Sequence, residues 1–137
     1  MNVPLTTWEV SEKTGDLFIY FKPTSIEELK LCSIQHLPLD ARFYIDPISK
    51  KIRALSLSQQ NCGIHFCNLQ YQKFFIHYDP KVDILSIDLT YNNPLRRHVT
   101  LAVNDDMDVI FDGYEDLRKI LFIEILFASK ELFVSWM

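Results

Sequence analysis

Apolar and polar positions alternate with a period of two along most of this chain. Leu85, Ile87 and Leu89 alternate with Ser86 and Asp88, the spacing that puts successive side chains on opposite faces of a strand. Leu17, Ile19 and Phe21 share one face in the same way, with Phe18 and Tyr20 on the other. A strand apolar on both sides expects cover on both. Trp8 and Val10 precede it, and the Glu12-Lys13-Thr14-Gly15 turn joins them into a hairpin. Ala41–Ile45, Ile52–Leu57, Tyr71–Tyr78, His98–Val103 and Asp108–Phe111 also read as strands. Turns at Asp46-Pro47, Asp79-Pro80 and Asn104-Asp105-Asp106 separate them. Ser25 followed by Glu28 matches a capping box and predicts a helical turn over Ile26–Lys30, after which Leu29–His36 runs extended.

The C-terminal run admits two readings. From Tyr114 to Met137 there is no Pro or Gly, so a long helix fits. Yet Ile120–Phe127 is apolar on every helical face, which a surface helix does not show. Its β-branched and aromatic content favours a buried strand, with a terminal helical turn over Ala128–Phe133.

An internal repeat bears on the same question. Sliding the chain by 68 residues pairs Leu17 with Leu85, Ile19 with Ile87, Asp40 with Asp108, Phe43 with Phe111, Ile52 with Ile120 and Leu57 with Ile125. One ungapped offset serves strands and turns alike, which points to duplication. It also makes Lys119–Ile125 a strand, because Lys51–Leu57 alternates like one. The expected organisation is a first β unit over 7–60, a connector over 61–70 and a second β unit over 71–137. A unit of about 60 residues exposes one apolar face that it cannot bury alone. The expected fold is therefore mainly β: two repeated four-stranded antiparallel meanders, packed as a pseudo-twofold single domain with one or two short helical turns.

The second unit resembles a family of small, mostly bacterial proteins known as domain of unknown function 2283. The resemblance rests on Tyr78-Asp79, Asp83, Leu85, Ile87, Asp112, Ile123-Glu124-Ile125-Leu126 and Ala128-Ser129. It covers roughly 76–132, and the first unit looks like a diverged copy that keeps Gly15, Leu17, Ile19, Asp46 and the Ile52–Leu57 strand. Phe122 stands where the family usually has a glycine, and Leu117-Arg118-Lys119 replaces the glycine of the preceding turn. The resemblance implies a four-stranded β meander and no established activity. Its members look like neighbours of small toxin-like genes, which implies antitoxin or immunity roles.

Composition narrows the function classes. Ten Phe, six Tyr and two Trp against three Gly in 137 residues indicate a packed aromatic core. A net charge of −4 argues against a broad phosphate-binding field. No apolar run approaches the roughly 18–20 residues that span a bilayer. Three cysteines and no signal-like start lead to an expectation of reduced thiols and a cytoplasmic location.

Candidate chemistry is sparse. Cys62, His65 and Cys67 offer zinc ligands at a spacing no standard site uses, and the competing reading is small buried thiols in a connector. Asn104, Asp106, Asp108 and Glu115 occupy calcium-loop places, but Val109 stands where the sharp turn needs glycine. Glu124 interrupts the most apolar strand, and a buried carboxylate there needs a partner such as an arginine. No nucleophile elbow or glycine-rich phosphate loop is present. No cofactor, metal or catalytic residue is expected. The expectation is a non-enzymatic protein-binding module, an antitoxin or immunity-type inhibitor in its most concrete form, working as a monomer or homodimer. Phe74, Phe75, Phe133 and Trp136 are its candidate aromatic anchors, and Lys50, Lys51, Arg118 and Lys119 its candidate basic contacts. The alternative is a small nucleic-acid-binding module that uses those basic turns with exposed aromatics.

Overall fold

A computed structural model describes residues 6–66, 75–90, 98–114 and 118–133. The chain is mainly β and divides into two compact units, Met1–Ser58 with Ser129–Met137, and Gln59–Ala128. Each unit holds one five-stranded antiparallel sheet.

In the first unit the strands are β1 (Thr7–Val10), β2 (Leu17–Tyr20), β3 (Ser33–His36), β4 (Arg42–Ile45) and β5 (Ile52–Leu57). Helix α1 (Ile26–Leu31) lies between β2 and β3. The spatial order is β1-β2-β5-β4-β3. After the first hairpin the chain passes through α1 to the far edge, then returns strand by strand until β5 fills the centre. The sheet thus has five strands where four in simple sequence were expected. β5 lies at the centre of the sheet, and all six of its positions are buried, Arg53 and Ser56 among them.

The second unit has β6 (Phe75–Asp79), β7 (Ile84–Asp88), β8 (His98–Val103), β9 (Val109–Tyr114) and β10 (Phe122–Leu126), in the order β6-β7-β10-β9-β8. The Ile120–Phe127 run is a strand and not a long helix. A short helix, α2 (Ala128–Glu131), follows it.

The repeat offset reproduces the sheet register. The β1–β2 pairs Thr7↔Tyr20, Trp8↔Ile19, Glu9↔Phe18 and Val10↔Leu17 become Phe75↔Asp88, Ile76↔Ile87, His77↔Ser86 and Tyr78↔Leu85 in β6–β7. Leu17↔Leu57 becomes Leu85↔Ile125, and Phe43↔Leu55 becomes Phe111↔Ile123. Turn backbones match too. The left-handed residues Gly15, Leu39 and Lys50, with φ of 76°, 59° and 62°, correspond to Asp83, Met107 and Arg118, with φ of 57°, 57° and 52°. A one-residue slip reverses every side chain in a strand, so this agreement ties both sheets to one folding pattern. The copies part at an outer hairpin, where the register shifts between Thr100 and Ala102 in β8.

One face of each sheet forms the core. Leu17, Ile19, Phe21, Phe43, Leu55 and Leu57 in the first unit are at most 1% exposed, as are Leu85, Ile87, Leu89, Phe111, Ile123 and Ile125 in the second. Burying each such side chain stabilises the fold by about 1.5–3 kcal/mol.

The unit boundaries differ from the sequence expectation at both ends. Within 61–70, the start of the expected connector is tied into the second unit. Ile120 donates its amide to the Asn61 carbonyl at 2.8 Å, and Gly63 donates to the Ile120 carbonyl at 2.9 Å. Likewise the C-terminal segment belongs to the first unit. Leu132, 2% exposed, forms a parallel bridge with Ile52, and Phe133 donates its amide to the Ile52 carbonyl at 2.8 Å.

Candidate interaction surface

The first unit presents an open edge. Ser25 caps α1: its hydroxyl accepts from the Glu28 amide at 3.1 Å, and Glu28 Oε1 accepts from the Ser25 amide at 3.0 Å. This reciprocal pair satisfies two of the helix's unpaired donors, and the Ser25 amide is the main reason the Glu28 carboxyl sits below its usual range. The helix buries none of its residues. Ile26 and Leu31 are 69% and 71% exposed, and Ile34 on β3 is 46% exposed. Since β3 pairs only with β4, no strand covers its outer side among the described residues. Ile48, Val82 and Met107 stand singly in turns, where isolated apolar residues are ordinary, while Trp8 and Val103 are exposed singly on the edge strands β1 and β8.

Behind this edge Arg53 holds the unit together. It is 8% exposed although it sits two residues from the exposed Lys51. Its Nε donates to Asp46 Oδ1 at 2.7 Å, one terminal nitrogen lies 3.2 Å from Glu28 Oε2, and the other donates to Thr24 Oγ1 at 3.2 Å. Asp46 Oδ2 accepts from the amides of Ile48 and Ser49 at 3.1 and 2.7 Å. The Ser49 amide first, then the guanidinium, hold the Asp46 carboxyl far below the usual carboxylate range. Glu28 serves as both helix cap and Arg53 partner, so one arginine ties α1 to the β4–β5 turn.

The candidate anchors separate on inspection. Phe133 is half-buried within the first unit, with Lys22 Nζ 4.4 Å and the Arg53 guanidinium 5.0 Å from its ring centre, a cation–π arrangement. Phe75 opens β6. Phe74 and Trp136 lie outside the described residues. Lys50 and Lys51 are exposed in the first unit, as are Arg118 and Lys119 in the second, with Lys50 and Arg118 at equivalent left-handed turn positions.

Other clusters take structural roles. Cys62 is buried in a bridge with Ile120, His65 is exposed, and Cys67 lies outside the described residues. No group of three His, Cys, Asp or Glu side chains among the described residues is placed to hold a metal. Asn104 is 5% exposed and organises the β8–β9 turn, its Oδ1 accepting from the Asp108 and Val109 amides at 2.9 and 3.0 Å. That is turn chemistry, and Glu115 of the expected calcium loop is outside the described residues. Glu124 has no arginine partner among the described residues. Its neighbour is Asp112, two places along from its cross-strand partner Ile110. Burial first, then Asp112, pushes the Glu124 carboxyl up. Asp112 Oδ1 is buried and accepts no hydrogen bond among the described residues.

Sequence reasoning missed the Ile26–Ile34 edge and the role of Arg53. The signal for the first was available: a capped turn whose apolar residues Ile26, Leu29 and Leu31 lack a long enough helix to form a stripe. No described helix is long and apolar enough to cross a membrane. Compared with family models, curated proteins and solved structures, the chain gives no match.

Proposed function

We propose that this chain is a non-enzymatic protein-binding module whose partner docks on the α1–β3 edge of the first unit. The exposure of Ile26, Leu31 and Ile34 on an edge with no covering strand supports the reading most directly. An open strand edge offers backbone donors and acceptors that an extended segment can pair with, and alternating side chains beside it set specificity. Exposed Glu27 and Lys30 lie among the apolar residues, so a partner segment carrying aliphatic side chains with charged ones beside them complements the edge. An antitoxin or immunity-type inhibitor of a small protein partner is the concrete form of this role.

The test uses tagged protein recovered from its native cells, with a Leu31→Glu/Ile34→Glu variant alongside. Both substitutions fall at exposed positions, so the variant keeps its circular dichroism and melting behaviour. The reading expects one stoichiometric protein to co-purify with the parent and to be lost with the variant. Equal capture by both, or capture of nucleic acid that falls steeply with salt, overturns it.

A further inference from the structure

Each unit is closed by a segment that lies just past the last strand of the other sheet in the sequence. Residues Gln59–Gly63 follow β5 and belong to the second unit, where Cys62 bridges Ile120. Residues Ser129–Phe133 follow β10 and belong to the first unit, where Leu132 bridges Ile52. Ile52 and Ile120 are equivalent under the repeat, both bridges are parallel, and both carbonyls accept an amide from the residue after the bridge, Phe133 or Gly63. The two closures are the same contact made twice.

The seat in the first unit is well built. Leu132 is 2% exposed, the Phe133 amide is bonded to Ile52, and the Phe133 ring lies beneath Lys22 and Arg53. Just before the crossing Phe127 holds a left-handed backbone, φ 56°, while 54% exposed. A bulky side chain at positive φ is strained. A strained hinge residue is where chains exchange equivalent elements between copies, since the swapped contacts are identical to the internal ones.

From these closures we infer that two copies of this chain form a segment-exchanged dimer, in which Ser129–Phe133 of one copy seats on Ile52, Lys22 and Arg53 of the other. The occupant is a second copy because the seat already fits this chain's own residues. Tethering gives the internal closure an effective concentration in the millimolar range, so the exchanged form gains ground as protein concentration approaches that range, or after unfolding and refolding at such concentration.

The test places one cysteine on each side of the seat, in separate chains. In a background with Cys32, Cys62 and Cys67 replaced by Ser, an Ile52→Cys variant and an isotope-labelled Leu132→Cys variant are mixed, refolded together at micromolar and millimolar concentration, and oxidised. Segment exchange expects a disulfide between labelled and unlabelled chains at positions 52 and 132, increasing at least tenfold across that range. A chain carrying both substitutions serves as the control, because it closes its own disulfide in the monomer. If the control closes but the mixed chains stay unlinked at both concentrations, the proposal is wrong. A dimer linked at any other pair of positions also overturns it.

Discussion

The two sheets share a register, yet the faces turned away from their cores carry opposite chemistry. In the first unit that face holds Phe18, Tyr20, Tyr44 and Ser56, with Phe18 ring centres 6.2 Å from Tyr20 and 5.7 Å from Tyr44. The equivalent positions in the second unit are Ser86, Asp88, Asp112 and Glu124. Core positions, by contrast, stay apolar in both copies: Leu17 and Leu85, Ile19 and Ile87, Phe43 and Phe111. The buried ion pair is also one-sided. Arg53 corresponds to Leu121, 2% exposed, and Asp46 to Tyr114, 5% exposed. The lesson is that register and core are held in common, because a slip or a cavity breaks the fold. The outer faces and end contacts are free to diverge.

The largest test of that comparison is in the cores. Phe43→Ala and Phe111→Ala should each cost about 3–5 kcal/mol in chemical denaturation, since both rings are at most 1% exposed. A cost confined to one copy breaks the claim of a shared core. Next is the one-sided ion pair. Arg53→Ala should destabilise by about 3 kcal/mol, since it leaves Asp46 and Glu28 around an emptied site. Arg53→Met, which refills the volume, should recover part of the loss but not the cation over Phe133.

A third test concerns how each copy manages the end of its fourth strand. A Cβ on Gly113 would stand 2.3 Å from the Lys119 carbonyl oxygen, while Ile45 at the equivalent place follows a register shift and pairs with Ile52. Gly113→Ala should therefore cost about 1–3 kcal/mol as the backbone gives way, whereas Ile45→Ala should lose only its half-buried side chain. Thermal melts of the two variants separate these causes.

The ion pair of the first unit and the outer face of the second predict opposite responses to pH. Asp46 has its folded pKa lowered, so its contribution is present above the unfolded value near 3.9 and is lost as the pH falls toward the folded value. Glu124 has its folded pKa raised by burial and Asp112, so its contribution is present below the unfolded value near 4.3 and is lost as the pH rises through the folded value. Glu124→Gln should thus raise the melting temperature at neutral pH and flatten the decline that Glu124 causes as the pH rises from acid toward neutral, while Asp46→Asn should lower it at neutral pH and change it little in strong acid. Melts across the acid-to-neutral range check both signs. The smallest effect belongs to the shared turns. Lys50→Gly and Arg118→Gly should each stabilise by about 0.5–1 kcal/mol by relieving a left-handed backbone.

Much of this was legible locally. The alternation of Leu85, Ile87 and Leu89 marks β7, Ser25 with Glu28 marks α1, and the 68-residue offset makes Ile123–Ile125 a strand. Strand order was not legible, because the period of two says which face a residue occupies but not which strand lies beside it. So the central position of β5 was missed, and with it the open outer side of β3. Arg53 stands two residues after the exposed Lys51. Its burial depends on Asp46, Glu28 and Phe133, the last eighty residues away in sequence. The same distance hid the crossing of Ser129–Phe133 into the first unit.

The functional claim is that the copies divided labour, with the partner edge in the first unit. Its most direct test is a binding comparison with the co-purified partner, using Leu31→Glu/Ile34→Glu in the first unit and Val103→Glu on β8, the corresponding edge of the second, where Val103 is 38% exposed. The account predicts at least a tenfold loss of affinity for the first variant and no change for the second. Equal affinity across parent and both variants, or a loss seen only with Val103→Glu, contradicts it.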